Sequence, residues 1–127
     1  MDGQKKILII DDEEDIQKLL KIRFQQENFV VVTANDGDIG VKVAEQEVPD
    51  IIILDIMMPK MDGYSCLKEI RKLPKIKNVP VLMLSGKEEE KVRDLFAFQK
   101  IDGYIEKPFE LDDILSKVKE ILKIQKD

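Results

Sequence analysis

The sequence predicts a doubly wound α/β fold: a five-stranded parallel sheet flanked by five helices. Three observations predict it. Several apolar runs rich in Ile, Leu and Val show no polar alternation, as strands covered on both faces do. Between them, apolar residues recur at three- and four-residue steps, the period of a helix with one buried face. The polar residues able to do chemistry come where the apolar runs end.

The elements follow in order. Ile7-Leu8-Ile9-Ile10 is the first strand and stops at Asp11-Asp12. A helix follows with Ile16, Leu19, Leu20 and Phe24 inward. Phe29 to Thr33 reads as the second strand, and Asp36-Gly37 opens a weaker helix with Ile39, Val43 and Ala44 inward. Ile51-Ile52-Ile53-Leu54 is the third strand and ends at Asp55. Cys66, Leu67, Ile70 and Leu73 form the stripe of a third helix that Pro74 ends. Val79 to Leu84 is the fourth strand, with Pro80 near its start and Ser85 at its end. Val92, Leu95 and Phe96 mark a fourth helix. Gly103-Tyr104-Ile105 is a short fifth strand ending near Lys107-Pro108. Leu111, Ile114, Leu115, Val118, Ile121 and Leu122 outline the last helix. Residues 1–127 are expected to be a single domain with no effector domain in this chain.

Composition narrows the function. The chain is 43% hydrophobic and 37% charged, which excludes long disorder and fibrous classes. A net charge of −5 argues against nucleic acid or an anionic membrane as the direct partner. A single cysteine, Cys66, rules out an internal disulfide. No apolar run approaches the ~20 residues of a membrane span, and a cytoplasmic location is expected. With no histidine at all, Ser-His-Asp hydrolysis and histidine metal sites drop out.

In open α/β sheets ligands bind beyond the carboxyl ends of the strands. Asp11, Asp12, Asp55, Ser85 and Lys107 all fall there. Clustered carboxylates repel, and an oxygen-only donor set favours a hard cation such as magnesium. A carboxylate at the end of a buried strand can also attack phosphorus to form an aspartyl phosphate. Lys107 and Ser85 then supply an ammonium and a hydroxyl for the phosphoryl oxygens. Helix capping accounts for Glu13, Glu14 and Asp15. It accounts less well for Asp11, because one cap needs one residue.

Four segments carry a family resemblance: Ile-Leu-Ile-Ile-Asp-Asp-Glu (7–13), Asp-Ile-Ile-Ile-Leu-Asp-Ile-Met-Met-Pro-Lys-Met-Asp-Gly (50–63), Pro-Val-Leu-Met-Leu-Ser-Gly (80–86) and Gly-Tyr-Ile-Glu-Lys-Pro-Phe (103–109). In order and spacing they resemble the receiver domain of two-component response regulators over essentially the whole chain. The resemblance implies a flavodoxin-like sheet with strand order 2-1-3-4-5. It implies Asp55 as phosphoacceptor and Mg2+ (Mn2+ able to substitute) held by Asp12 and Asp55, by Asp11 through a water, and by the backbone carbonyl of Met57. Ser85 and Lys107 would contact the phosphoryl oxygens. Tyr104 matches the aromatic switch position, Pro108 the proline after a cis peptide, and Pro59 and Gly63 the turn after the acceptor. The implied partners are a sensor histidine kinase or histidine phosphotransferase and a downstream protein, with a weak homodimer left open. The implied protein is a phosphorylation-activated switch, not an enzyme acting on external substrates.

Some positions depart from the commonest pattern. Lys100 stands where a glycine is usual, Gln99 where a small apolar residue is, and Met57 where polar residues are frequent. A haloacid-dehalogenase-like phosphatase would need a second Asp where Met57 stands. A flavodoxin would need a phosphate loop where Asp11-Asp12-Glu13 would repel the ligand. A degenerate receiver acting only as a docking module is the alternative. For the switch itself, Ser85 is expected to move toward the phosphoryl group and Tyr104 to fill the space it leaves. The output face would be the fourth helix, fifth strand and fifth helix, with Phe98 an exposed aromatic on it beside Tyr104.

Overall fold

The computed structural model describes residues 3–85 and 100–124, with the Ser85 side chain outside that description. The strands are β1 (Lys6–Ile10), β2 (Val30–Ala34), β3 (Ile51–Asp55), β4 (Val81–Ser85) and β5 (Gly103–Glu106). They form one parallel sheet in the order β2-β1-β3-β4-β5. The described helices are α1 (Glu14–Gln26), α2 (Gly37–Glu47), α3 (Gly63–Lys72) and α4 (Leu111–Leu122). The helix expected around Val92, Leu95 and Phe96, together with Phe98 and Gln99, lies outside the described residues.

The sheet is the centre of two cores, because side chains alternate faces along each strand. Leu8, Ile10, Ile52, Leu54, Val81 and Met83 face α2 and α3, meeting Ala44, Cys66, Leu67 and Ile70. Ile7, Ile9, Ile51, Ile53, Leu82 and Leu84 face α1 and α4, meeting Leu20, Phe24, Ile114, Leu115 and Val118. Burial on both faces is what the unbroken apolar runs require.

Local signals set the helix ends. Asp36 and Asp62 cap α2 and α3, their carboxylates accepting from Ile39 N–H (2.9 Å) and Ser65 N–H (2.7 Å). Leu73 is extended (φ −92°, ψ 119°) and ends α3, as a residue before proline is pushed to be. Two helix faces differ from the sequence reading. On α1, Leu19 is 50% exposed and Gln17 is buried in its stead. On α2, Ile39 is 46% exposed and Gly40 faces in, because a Cβ at Gly40 would lie 2.6 Å from Ile10 Cδ1. Close helix–sheet packing there selects the residue with no side chain.

Candidate functional site

Strand order reverses at β1: β1 leads outward to β2, and the chain then returns to place β3 on the other side of β1. This is the switch point, where the connections diverge and leave a crevice at the carboxyl rim. The register pairs Ile10 with Leu54. One residue on, Asp11 and Asp55 therefore emerge side by side.

Carboxylate oxygens of Asp11, Asp12 and Asp55 all lie within 4.8 Å of one another. Asp11 and Asp55 are buried, at 0% and 1% exposure, while Asp12 is exposed. Each buried carboxylate has one oxygen engaged and one aimed at nothing. Asp11 Oδ1 accepts from Glu13 N–H (2.8 Å) and Asp55 Oδ1 from Met57 N–H (3.3 Å). Both Oδ2 atoms are buried and have no partner among the described residues. A buried charged oxygen without a partner is costly, so these two atoms define a place for a ligand.

Lys107 follows β5, two strands from Asp55, a span of roughly 9–10 Å across the sheet. Its long side chain crosses the end of β4 and puts Nζ 3.4 Å from Asp55 Oδ1 and 3.3 Å from Glu13 Oε1. Burial pushes the Asp11 carboxyl up from its ordinary 3.8 to about 6; the Glu13 N–H opposes the shift and the charge of Asp55 adds to it. Burial also raises Asp55, against the pull of Lys107 and the Met57 N–H. For Lys107 burial works against its charge, yet Asp55, Asp11 and Glu13 outweigh it and hold the ammonium above its ordinary range.

The loop after Asp55 depends on Gly63. Its N–H donates to Ile56 carbonyl (2.9 Å), and a Cβ there would strike the Asp55 carbonyl oxygen and lie 2.7 Å from Ile56 Cα. Met57 extends from this loop at 69% exposure. The Lys107–Pro108 peptide is cis. Ser85 ends β4 opposite Glu106, and Tyr104 is half-buried in β5 opposite Met83, against the α2–α3 core.

Sequence reasoning assigned Glu13 of this rim to helix capping and did not single out Gln17. Glu13 sits at the α1 N-cap with no side-chain cap hydrogen bond, and its carboxylate goes to Lys107 instead. Gln17 is buried at 8% exposure, and its amide nitrogen donates to the carbonyls of Asp11 and Ala34 and to Asn35 Oδ1. A signal for Gln17 was present: it stands three and seven residues before Leu20 and Phe24, on the buried stripe.

The response regulator receiver domain family matches residues 7–119. The alkaline phosphatase synthesis transcriptional regulatory protein PhoP of Bacillus subtilis (strain 168) is 41% identical over 119 residues, covering 94% of this chain and 49% of PhoP. The probable transcriptional regulator ycf27 of Guillardia theta is 37% identical, covering 97% of this chain and 47% of its own length. The chain thus spans about half the length of these two regulators. Among solved structures, chemotaxis protein CheY4 of Vibrio cholerae superposes with a TM-score of 0.89 at 27% identity, over 94% of this chain and 99% of CheY4. A CheY-like response regulator receiver domain protein from Methanospirillum hungatei JF-1 gives 0.88 at 29% identity, over 95% of each chain.

Proposed function

The chain belongs to the response regulator receiver domain family of two-component systems, and from that premise we propose that it is a phosphorylation-driven signalling switch with Asp55 as acceptor. The observation that carries this reading is Asp55 Oδ2, a buried carboxylate oxygen with no partner, beside an ammonium and two further carboxylates. A docking module without phosphotransfer would have no use for so costly an arrangement.

The residues fit a divalent cation. Asp11, Asp12 and Asp55 are oxygen donors only, and two of them present unsatisfied buried oxygens; the Met57 carbonyl would complete the protein's share. Mg2+, or Mn2+ in its place, would neutralise charge on the phosphoryl oxygens. In the transfer, an Asp55 oxygen bonds to phosphorus as the phosphorus–nitrogen bond of a partner's phosphohistidine breaks, and the electron pair leaves with the imidazole. Lys107 Nζ, already within 3.4 Å of the carboxylate, moves onto a phosphoryl oxygen, and the Ser85 hydroxyl takes another. Water later hydrolyses the aspartyl phosphate; the exposed Met57 side chain, two residues beyond Asp55, would block or guide its attack.

The donor is a sensor histidine kinase or a histidine phosphotransferase, with acetyl phosphate as a small substitute. Residues 1–127 act as one receiver domain, and the signal leaves through the surface around β5 and Tyr104 to a downstream protein. The test is labelling with radioactive acetyl phosphate or a phosphorylated kinase in magnesium. The parent takes up label and Asp55→Asn does not; an Asp55→Asn variant labelled at the parent's rate overturns the assignment.

A further inference from the structure

We propose that Gln17 is a positioning residue for the cation site, locking Asp11 so that its one unpaired carboxylate oxygen points at the metal. This rests on the reading of the acidic rim as a magnesium site and adds a residue to it.

Asp11 is held at every polar atom but one. Its N–H donates to the Ala34 carbonyl (3.1 Å), and its Oδ1 accepts from Glu13 N–H (2.8 Å). Its carbonyl accepts from Gln17 Nε2. Only Oδ2 is left over, buried and unpaired. The same Gln17 nitrogen reaches the Ala34 carbonyl at 3.1 Å and Asn35 Oδ1 at 2.9 Å. Three acceptors converge on one nitrogen, so the orientation of the amide is determined: turned over, its oxygen would face three oxygens.

The consequence is mechanical. The registered pairs of β1 and β2 end at Ile10 and Ala34, and past them the Asp11 N–H bonds the Ala34 carbonyl. Gln17, fixed on α1 among core residues, adds a donor there and ties both strand ends to the helix. Metal ligands are oriented by such neighbours, and losing one typically weakens metal binding ten- to a hundredfold.

The test compares Gln17→Met, which keeps length and burial but removes the donor, with Leu20→Ala, which weakens the same helix face without touching the rim. Mn2+ binding is followed by the resonance of the free ion, and stability by urea. We expect Kd for Mn2+ to rise at least tenfold in Gln17→Met and to stay within twofold of the parent in Leu20→Ala, although both are less stable. In an Asp11→Asn background, Gln17→Met should have little further effect on Kd, because Gln17 acts through Asp11. A Gln17→Met variant binding Mn2+ within twofold of the parent overturns the inference. If that variant does not fold, Gln17→Asn, one methylene short, replaces it; failure of both to fold in saturating Mg2+ also overturns it, since the amide would then be a general strut. A parent that binds no Mn2+ would instead sink the reading of the site itself.

Discussion

At the residue scale the rim is a set of charges held in an unfavourable state until a ligand arrives. Asp11 has its carboxyl raised to about 6, chiefly by burial. For an acid whose folded value exceeds the unfolded one, the stabilising contribution is full below about 3.8 and is lost as pH rises through about 6. Asp55 shifts in the same direction. With no histidine in the chain, no side chain with an ordinary value titrates between pH 5 and 7 to obscure this. Urea midpoints in EDTA should therefore fall from pH 5 to pH 7. In saturating Mg2+ the fall should vanish, because the cation favours the ionised carboxylates. A midpoint in EDTA that rises over that interval would contradict the burial of these two groups.

At the scale of elements, the site is assembled by how closely α3 approaches the end of β3. Gly63 opens α3 directly over the Asp55 carbonyl, and no side chain fits between them. Gly63→Ala should destabilise the protein by about 1–3 kcal/mol, the usual cost of overpacking, and, if Asp55 is the acceptor as proposed, should slow phosphorylation by shifting it. Urea melts and labelling rates measure the two effects; unchanged values for both would mean the loop yields freely. On the opposite rim, the Arg71 guanidinium of α3 gathers the carbonyls of Lys77 (3.0 Å), Val79 (2.7 Å) and Lys100 (2.9 Å). Lys100 is exposed, and what this position requires of the chain is its carbonyl.

At the scale of the whole molecule, cation binding and folding would be one equilibrium. The three carboxylates meet only when β1 and β3 pair, so an ion held between them would bind the folded chain and not the unfolded one. Magnesium at a hundred times its Kd should add about 2.7 kcal/mol of stability. Thermal or urea melts with and without millimolar magnesium at pH 7 check this, and coincident melts would mean that the site does not assemble. No described helix is long and apolar enough to cross a membrane.

Much of this was legible along the chain. Continuous apolar runs identified the strands because a strand buried on both faces admits no polar alternation. Pro74 marked the end of α3 through its steric effect on Leu73. Aspartates placed just past two such runs marked the rim, since the ends of parallel strands share one edge. The sequence by itself thus determined which segments are strands and helices, and which residues stand at their carboxyl ends. The rotation of each helix was decided only in three dimensions. A 3.6-residue period locates an apolar stripe but not its centre, so α1 could bury Leu19 or Gln17. The carbonyls of Asp11 and Ala34 at the strand ends selected the amide. Strand order likewise decided that Lys107 reaches Asp55 across one intervening strand, and that Glu13 meets Lys107 from 94 residues away. Such pairings arise from the sheet bringing distant strand ends within one side chain's length, and no local pattern encodes that distance.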